Sequence, residues 1–537
     1  MDTLSPRELK ARLDARETLA LLDVREPGEF GLRHPFWAVP LPYGRFELDL
    51  PRLVPDPGVP LVIADEGGTT ARLAVRRARA LGYRRVFGLE GGLRAWRRAG
   101  YGEFAGVHVP SKAFGELVEM RRHTPMIDAG ELAARIEEGE RFHLFDARPP
   151  AEYRRMSIPG ARCCPNVELP VRLESLVTDP DTPIVINCAG RTRGIIGAQT
   201  LIELGVSNPV YALRNGTMGW ELAGLTRAHG AEDVVATDAP ATPSPGLRAR
   251  IRALAADAGV SAVTAGDVTA WRAAGEPVYC LDVRQPGDPA APPLPGTVRA
   301  PGVELIQATE AWIAVPTARV VLADDDGVRA PLCAYWLRLM GLDARVLPVA
   351  ETALLPDAPA PAALPALARC EAVAAVAEDA GGDGPPVLDL RGSAAHRHGH
   401  PPGARWLTRS RLGEFIPVLA RERSGVRLLA DDPDRAALVA GDLADHGIDG
   451  VALIDGGLDA WAAAGGPVVE TPDEPPDRAC IDRLFFVHDR HDGNLDAARR
   501  YLEWEQGLVP RLDAAERQAF ARLDPARDPR THAGEDR

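Results

Sequence analysis

PIVINCAGRTRGIIGAQTLIELG, residues 183–205, reads as a strand, a tight turn and a helix in direct succession. The apolar β-branched run IVIN is bounded by Pro183, as a strand buried on both faces should be. From Arg193 onward the apolar residues take helical spacing, and Gly205 supplies a C-terminal stop. Cys188 therefore falls at the carboxyl end of a strand and just before a helix N-terminus, where open α/β sheets bind their ligands.

Working outward, an earlier apolar run ends in Asp-x-Arg: LFDAR, with Asp146 and Arg148. The pair recurs as Asp23 and Arg25, Asp282 and Arg284, and Asp389 and Arg391. A second apolar run follows each time, as LVIAD, IVINC, VVLAD and RLLAD, and its last residue lies 42 positions after the motif Asp in all four cases. Three of the four segments close on a further strand and Gly-x-x-x-Trp, at Trp96, Trp220 and Trp461, where the Trp packs the end of its repeat; the third keeps ARVLPV but loses that ending. A regular internal period is the mark of a repeated structural unit. Alternating strands and helices predict an α/β fold of four tandem domains, each a small parallel sheet flanked by helices. The expected domains are 1–105, 124–228, 247–355 and 367–472, followed by a helical tail over 473–537 whose last residues fray. Proline-rich linkers, ATDAPATPSPG (236–246) and PDAPAPAALP (356–365), separate the second from the third and the third from the fourth. VPSKAFGELVEMRRH (109–123) reads as a helix connecting the first two.

The bulk properties bound the function. The chain has 537 residues, 45% hydrophobic and 26% charged, with a formal net charge of −14. That balance disfavours nucleic acid and anionic membranes as partners. No apolar run is long enough to cross a bilayer, and MDTLSPRELKARL lacks the pattern of a signal peptide. Seven unevenly spread cysteines do not form a disulfide framework, so reduced thiols and a cytoplasmic setting are expected.

A thiol works as a nucleophile only as its thiolate, which positive charge and a helix N-terminus favour. The loop after Cys188 can turn successive N–H groups inward around an anion. Arg191 and Arg193 add two cations, Thr192 adds a hydroxyl donor, and no acidic residue occurs between Asp181 and Glu203. In the other repeats the matched positions are Asp65, Asp324 and Asp431, in the acidic loops ADEGG, ADDDG and ADDPD. A carboxylate cannot carry sulfur, so these three repeats are expected to be catalytically silent. Cys163 and Cys164 are expected to be packed beside IPGA, and Cys280, Cys333, Cys370 and Cys480 to be structural. HRHGH (396–400) and the histidines His488 and His491 are read as a turn and a solvated loop, with no metal site.

Asp-x-Arg, IPGA (158–161), a strand-end Cys, a short loop, a helix and Gly-x-x-x-Trp together resemble rhodanese domains, the sulfurtransferases that carry sulfane sulfur as a cysteine persulfide. GHPPGA (399–404) matches the same family's turn. The resemblance spans residues 1–470 and is fullest in the second repeat. It implies Cys188 as the catalytic residue and Ala189, Gly190, Arg191, Thr192 and Arg193 as the rest of the active loop, with Asp146 and Arg148 structural. It further implies a small anionic sulfur donor, a cyanide or thiol acceptor, and no metal or organic cofactor. The cationic loop suits thiosulfate; the loop associated with 3-mercaptopyruvate, Cys-Gly-Ser/Ala-Gly-Val-Thr, is absent. Mercaptopyruvate transfer, a sulfur-relay or docking scaffold, and a protein sulfur acceptor remain open alternatives. Phosphatases of the Cys-x5-Arg type need an arginine six residues after the nucleophile, where this chain has Gly194.

Overall fold

The computed structural model describes residues 2–235, 243–286, 292–357, 371–373, 384–421, 425–491 and 493–523. Cys370, most of both proline-rich linkers and the end of the tail (524–537) lie outside the described residues.

Four parallel sheets are present, as the repeat predicts. The second is ordered Met126–Ile127, Val210–Leu213, Ile184–Asn187, His143–Asp146, Arg162–Cys163. The first and fourth sheets repeat this five-stranded order, and the third has four strands. In the third an isolated parallel bridge, Ala262 with Val346, takes the place of the missing edge strand. Side chains of Ile184–Asn187 alternate between two cores, as a pleated strand covered on both faces requires. Ile184 and Ile186 pack with Phe145, Leu201 and Val210, while Val185 packs with Ile127, Leu132 and Trp220. The core around Ile184 and Ile186 continues past the expected limit of residue 228: Val235 is buried in it, and its N–H bonds to the Cys163 carbonyl at 2.9 Å.

The chain divides into two compact units, and the partnership is not sequential. One holds the first and fourth sheets, the other the second and third sheets with the C-terminal helices. In the former, Arg409 is buried between Glu47 (2.6 Å) and Asp442 (2.7 Å). In the latter, Arg329 of the third repeat pairs with Glu168 of the second at 2.6 Å. The tail is helical over Leu495–Gln506, Leu508–Arg511 and Ala514–Gln518, with Gly507 between the first two.

Register corrects one sequence alignment. Asp23, Asp146 and Asp282 sit opposite Ala64, Asn187 and Ala323, so the next residues, Asp65, Cys188 and Asp324, occupy one structural position. Asp389 instead sits opposite Leu429, and the fourth member of the set is Ala430. Asp431, matched by sequence spacing, is one residue late and exposed. A constant spacing cannot reveal that the fourth repeat spends one residue fewer before the strand end.

The Asp-x-Arg pairs are internal braces. Arg148 Nε and Nη2 donate to the two Asp146 carboxylate oxygens at 2.8 and 2.7 Å, and Nη2 also donates to the Met156 carbonyl at 2.6 Å. Both side chains are fully buried. Removing one partner of such a pair strands the other's charge in a low-dielectric interior. Asp146→Ala is therefore expected to cost about 3–5 kcal/mol in urea unfolding, with the second repeat losing its structure first by amide exchange; a change near zero contradicts the bracing role.

Candidate functional site

The strand Ile184–Asn187 delivers Cys188 to the start of a turn, and the helix Thr192–Glu203 begins four residues later. Two contacts fix the turn. The Thr217 N–H donates to the Cys188 carbonyl at 2.8 Å, and the Met218 N–H to the Ala189 carbonyl at 3.1 Å. These donors open the helix Gly216–Leu222, which is the Gly-x-x-x-Trp segment. Gly216 has a positive φ of 55°, and a Cβ there would lie 2.2 Å from the Cys188 carbonyl oxygen, so only glycine permits the approach. Gly92 docks on the Asp65 carbonyl in the same way, and Leu93 N–H donates to it at 2.9 Å. Trp96, Trp220 and Trp461 each tie down their segment with an indole N–H bonded at 3.0 Å to the carbonyl six residues ahead.

The backbone N–H groups of residues 189–193 have no acceptor among the described residues. They surround the positive end of a helix, where unmet donors make an anion cradle. The equivalent loops in two other repeats are closed from within. Asp65 accepts from the N–H groups of Gly68 and Ala71, the latter at 3.0 Å. Asp324 accepts from Gly327, Val328 and Ala330 at 3.0, 3.0 and 2.8 Å. Burial and the neighbouring Asp326 push the Asp324 carboxyl above its ordinary pKa.

Cys188 is 2% exposed and lines a cavity of about 370 Å³. Ala189, Gly190, Arg191 and Arg193 line it too, as the loop reading requires. Thr192 does not. Its hydroxyl turns away and donates to Glu505 at 2.8 Å, so it is not an anion ligand. The two loop arginines are also not bare cations. Arg191 grips Glu116 through Nε (2.6 Å) and Nη2 (2.8 Å) and also reaches Glu119, while Arg193 grips Glu152 at 2.7 and 2.8 Å. These partners lie far from the loop in sequence: Glu116 and Glu119 come from the helix Val109–Arg122 and Glu152 from the helix Pro150–Arg155. Burial drives the Glu116 carboxyl above the usual range, against the opposing pull of Arg191.

Further lining residues lie outside the second repeat. Lys112, from the helix Val109–Arg122, is held 3.4 Å from the fully buried Glu505. Burial opposes its charge most strongly, but Glu505, together with Tyr501 and Cys188 acting in the same direction, holds the ammonium pKa above normal. Arg193 likewise senses a charge on Cys188. Gly115 makes this placement possible, since a Cβ there would meet the Thr192 methyl at 2.8 Å. His488 and Arg490 also line the cavity, so the segment read as a solvated loop is part of its wall. Among the acidic side chains of the described residues only Glu152 does so. The carboxylates that hold Lys112, Arg148 and Arg191 stand behind their cations, giving a positive inner lining backed by a negative outer layer.

The remaining motifs are absorbed by packing. Cys163 and Cys164 are buried thiols, the first pushed up to about 12 by burial. His396 Nδ1 bonds to Asp389 at 2.8 Å, and His400 Nδ1 to the His396 carbonyl at 2.7 Å. No group of three or more potential metal ligands occurs among the described residues, and none of their helices is long and apolar enough to cross a membrane.

Comparison with known proteins gives concordant results. The profile of the rhodanese-like domain matches residues 5–99 and 128–223. The crystal structure of a thiosulfate sulfurtransferase from Pseudomonas aeruginosa is similar over 97% of this chain and 99% of that one, at 37% identity and a TM-score of 0.84. A sulfurtransferase of Allochromatium vinosum is 32% identical over 99 residues, 18% of this chain and 90% of that protein. An HTH-type transcriptional regulator of Mycobacterium tuberculosis is 38% identical over 105 residues, 20% of this chain, which spans 45% of the regulator's length.

Thiol reactivity tests the site. Burial raises Cys163, Cys164, Cys280 and Cys333 far above neutrality. At about pH 8 a thiol such as Cys163 is ionised to roughly one part in ten thousand. Iodoacetamide on the native protein is expected to label Cys188 ahead of all four, read by peptide mapping; prior labelling of Cys163 or Cys164 contradicts the assignment.

Proposed function

The chain belongs to the rhodanese-like sulfurtransferase family, and from that footing we propose that it moves sulfane sulfur from thiosulfate, or a related small anionic donor, to cyanide or a thiol through a persulfide on Cys188. One observation carries the reading. Of the four equivalent strand ends, the one with a thiol also has a loop whose N–H groups meet no acceptor among the described residues, and it opens into a cation-lined cavity.

In the first half-reaction the Cys188 thiolate attacks the outer sulfur of thiosulfate. The S–S bond breaks, sulfite leaves with the electron pair, and the terminal sulfur of the persulfide takes the negative charge. The amides of residues 189–193 receive that charge, and Arg193 and Lys112 lie within electrostatic reach of it. Arg191, gripped by two carboxylates, keeps the loop in shape more than it adds charge. In the second half-reaction cyanide or a thiolate attacks the outer sulfur and Cys188 leaves as thiolate, a ping-pong cycle needing no metal or organic cofactor. The charged loop favours thiosulfate over 3-mercaptopyruvate as donor, and the name of the Pseudomonas aeruginosa relative supports that choice.

The domains around residues 1–105, 247–355 and 367–472 are assigned no sulfur chemistry. Asp65 and Asp324 fill their own cradles, and Ala430 offers only a methyl group. Their part in the design is structural, as the packing of the third repeat on the second through Arg329 and Glu168 illustrates.

Cys188→Ser is expected to lower thiosulfate:cyanide turnover by at least about a thousandfold, and to abolish the one-sulfur mass gain after incubation with thiosulfate. Turnover that survives in the variant removes Cys188 from the reaction.

A further inference from the structure

The cavity over Cys188, at about 370 Å³, offers far more room than thiosulfate or cyanide fills. Part of its wall is not built by the second repeat. His108 and Lys112 come from the connecting helix and its lead-in, and Val487, His488, Arg490 and Tyr501 from the tail. Arg490 differs from the loop arginines in having no carboxylate partner among the described residues. Its guanidinium lies 4.5 Å over the Tyr501 ring, Nη1 donates to the Val487 carbonyl, and Nε is buried without a partner. At the Cys188 end the cavity-lining Arg148 also keeps one buried guanidinium nitrogen, Nη1, unpartnered. Orphaned buried donors are costly and rare in folded proteins, and on a cavity wall they mark where an acceptor group belongs. Cys188 is only 2% exposed and is reached through this cavity.

We propose that the sulfur acceptor is a small thiol carrying carboxylates, its sulfur directed to Cys188 and its carboxylates received by Lys112 and Arg490. This rests on the persulfide reading above. The acceptor thiolate attacks the outer sulfur of the Cys188 persulfide, a new S–S bond forms, and the old one breaks with its electron pair returning to Cys188. The acceptor leaves as its own persulfide, and no oxidant or reductant is consumed. Lys112 and Arg490 are specificity residues for this second half-reaction: they bind the carboxylates of the acceptor. Arg–carboxylate pairing of this kind is charge-assisted and geometrically selective.

The test uses full-length protein loaded with thiosulfate and desalted. Loss of the added sulfur is followed by intact mass on mixing with mercaptosuccinate, which carries two carboxylates, or 2-mercaptoethanol, which carries none, at equal thiolate concentration. Mercaptosuccinate is expected to discharge the persulfide about a hundredfold faster. Arg490→Gln and Lys112→Gln are each expected to lower the ratio of the two rates about tenfold, with Arg490→Lys restoring part of it. Because a ratio is read, partial loss of folded protein cancels. A ratio near one in the wild type, or one that neither Gln variant moves, overturns the acceptor assignment while leaving the Cys188 persulfide standing. Failure of thiosulfate to load the protein removes the persulfide reading, and the acceptor proposal with it.

Discussion

A cluster of backbone N–H groups at the turn from strand to helix must be met by negative charge, and what meets it sets the character of each repeat. Asp65 and Asp324 supply the charge from within, bonding to two and three loop amides respectively. At Cys188 the described residues supply none, and the amides of residues 189–193 are left without an acceptor among them. The same scaffold thus yields a self-neutralised strand tip in two repeats and an open anion cradle in one. Gly216 and Gly92 underline the equivalence, since each lets the next helix dock on the carbonyl of the residue in question.

Charge around the open cradle is arranged in layers. An isolated guanidinium buried beside a thiol would be expensive to desolvate, and buried cations normally come with partners. Here Glu116, Glu119 and Glu152 hold Arg191 and Arg193, while Glu505 holds Lys112. All but Glu152 stand behind the lining, so the cavity presents mostly cations within a chain whose net charge is −14. Glu505 also receives the Thr192 hydroxyl, which ties the tail to the first turn of the active-site helix. The tail is therefore part of the site's wall.

Much of this was legible in the sequence. Asp-x-Arg, the strand-end position of Cys188, and Gly-x-x-x-Trp recur at spacings that reflect strand and helix lengths, and those lengths are what parallel sheets constrain. The parts that were not legible depend on contacts between distant segments. Glu116 and Glu505 lie 75 and 313 residues from the loop residues they bond, so counting local acids made Arg191 look freer than it is and Thr192 look available. His488 and Arg490 carry no motif, and their role appears only once the tail is placed. The fourth repeat misled differently: its offset of 42 is preserved in sequence while its strand register has shifted, putting Ala430 rather than Asp431 at the key position. Nor does any local pattern indicate that the first repeat partners the fourth and the second partners the third.

The central claim is that negative charge is missing at the Cys188 strand tip and already present, as Asp65 and Asp324, at those of the first and third repeats. Titrating sulfite into amide-labelled Cys188→Ser protein, with backbone resonances followed by NMR, tests it without sulfur chemistry. Saturable shifts confined to the amides of residues 189–193, with those of 66–71 and 325–330 unmoved, are the predicted result. Equal responses at the Asp65 and Asp324 loops, or none at the Cys188 loop, would contradict it.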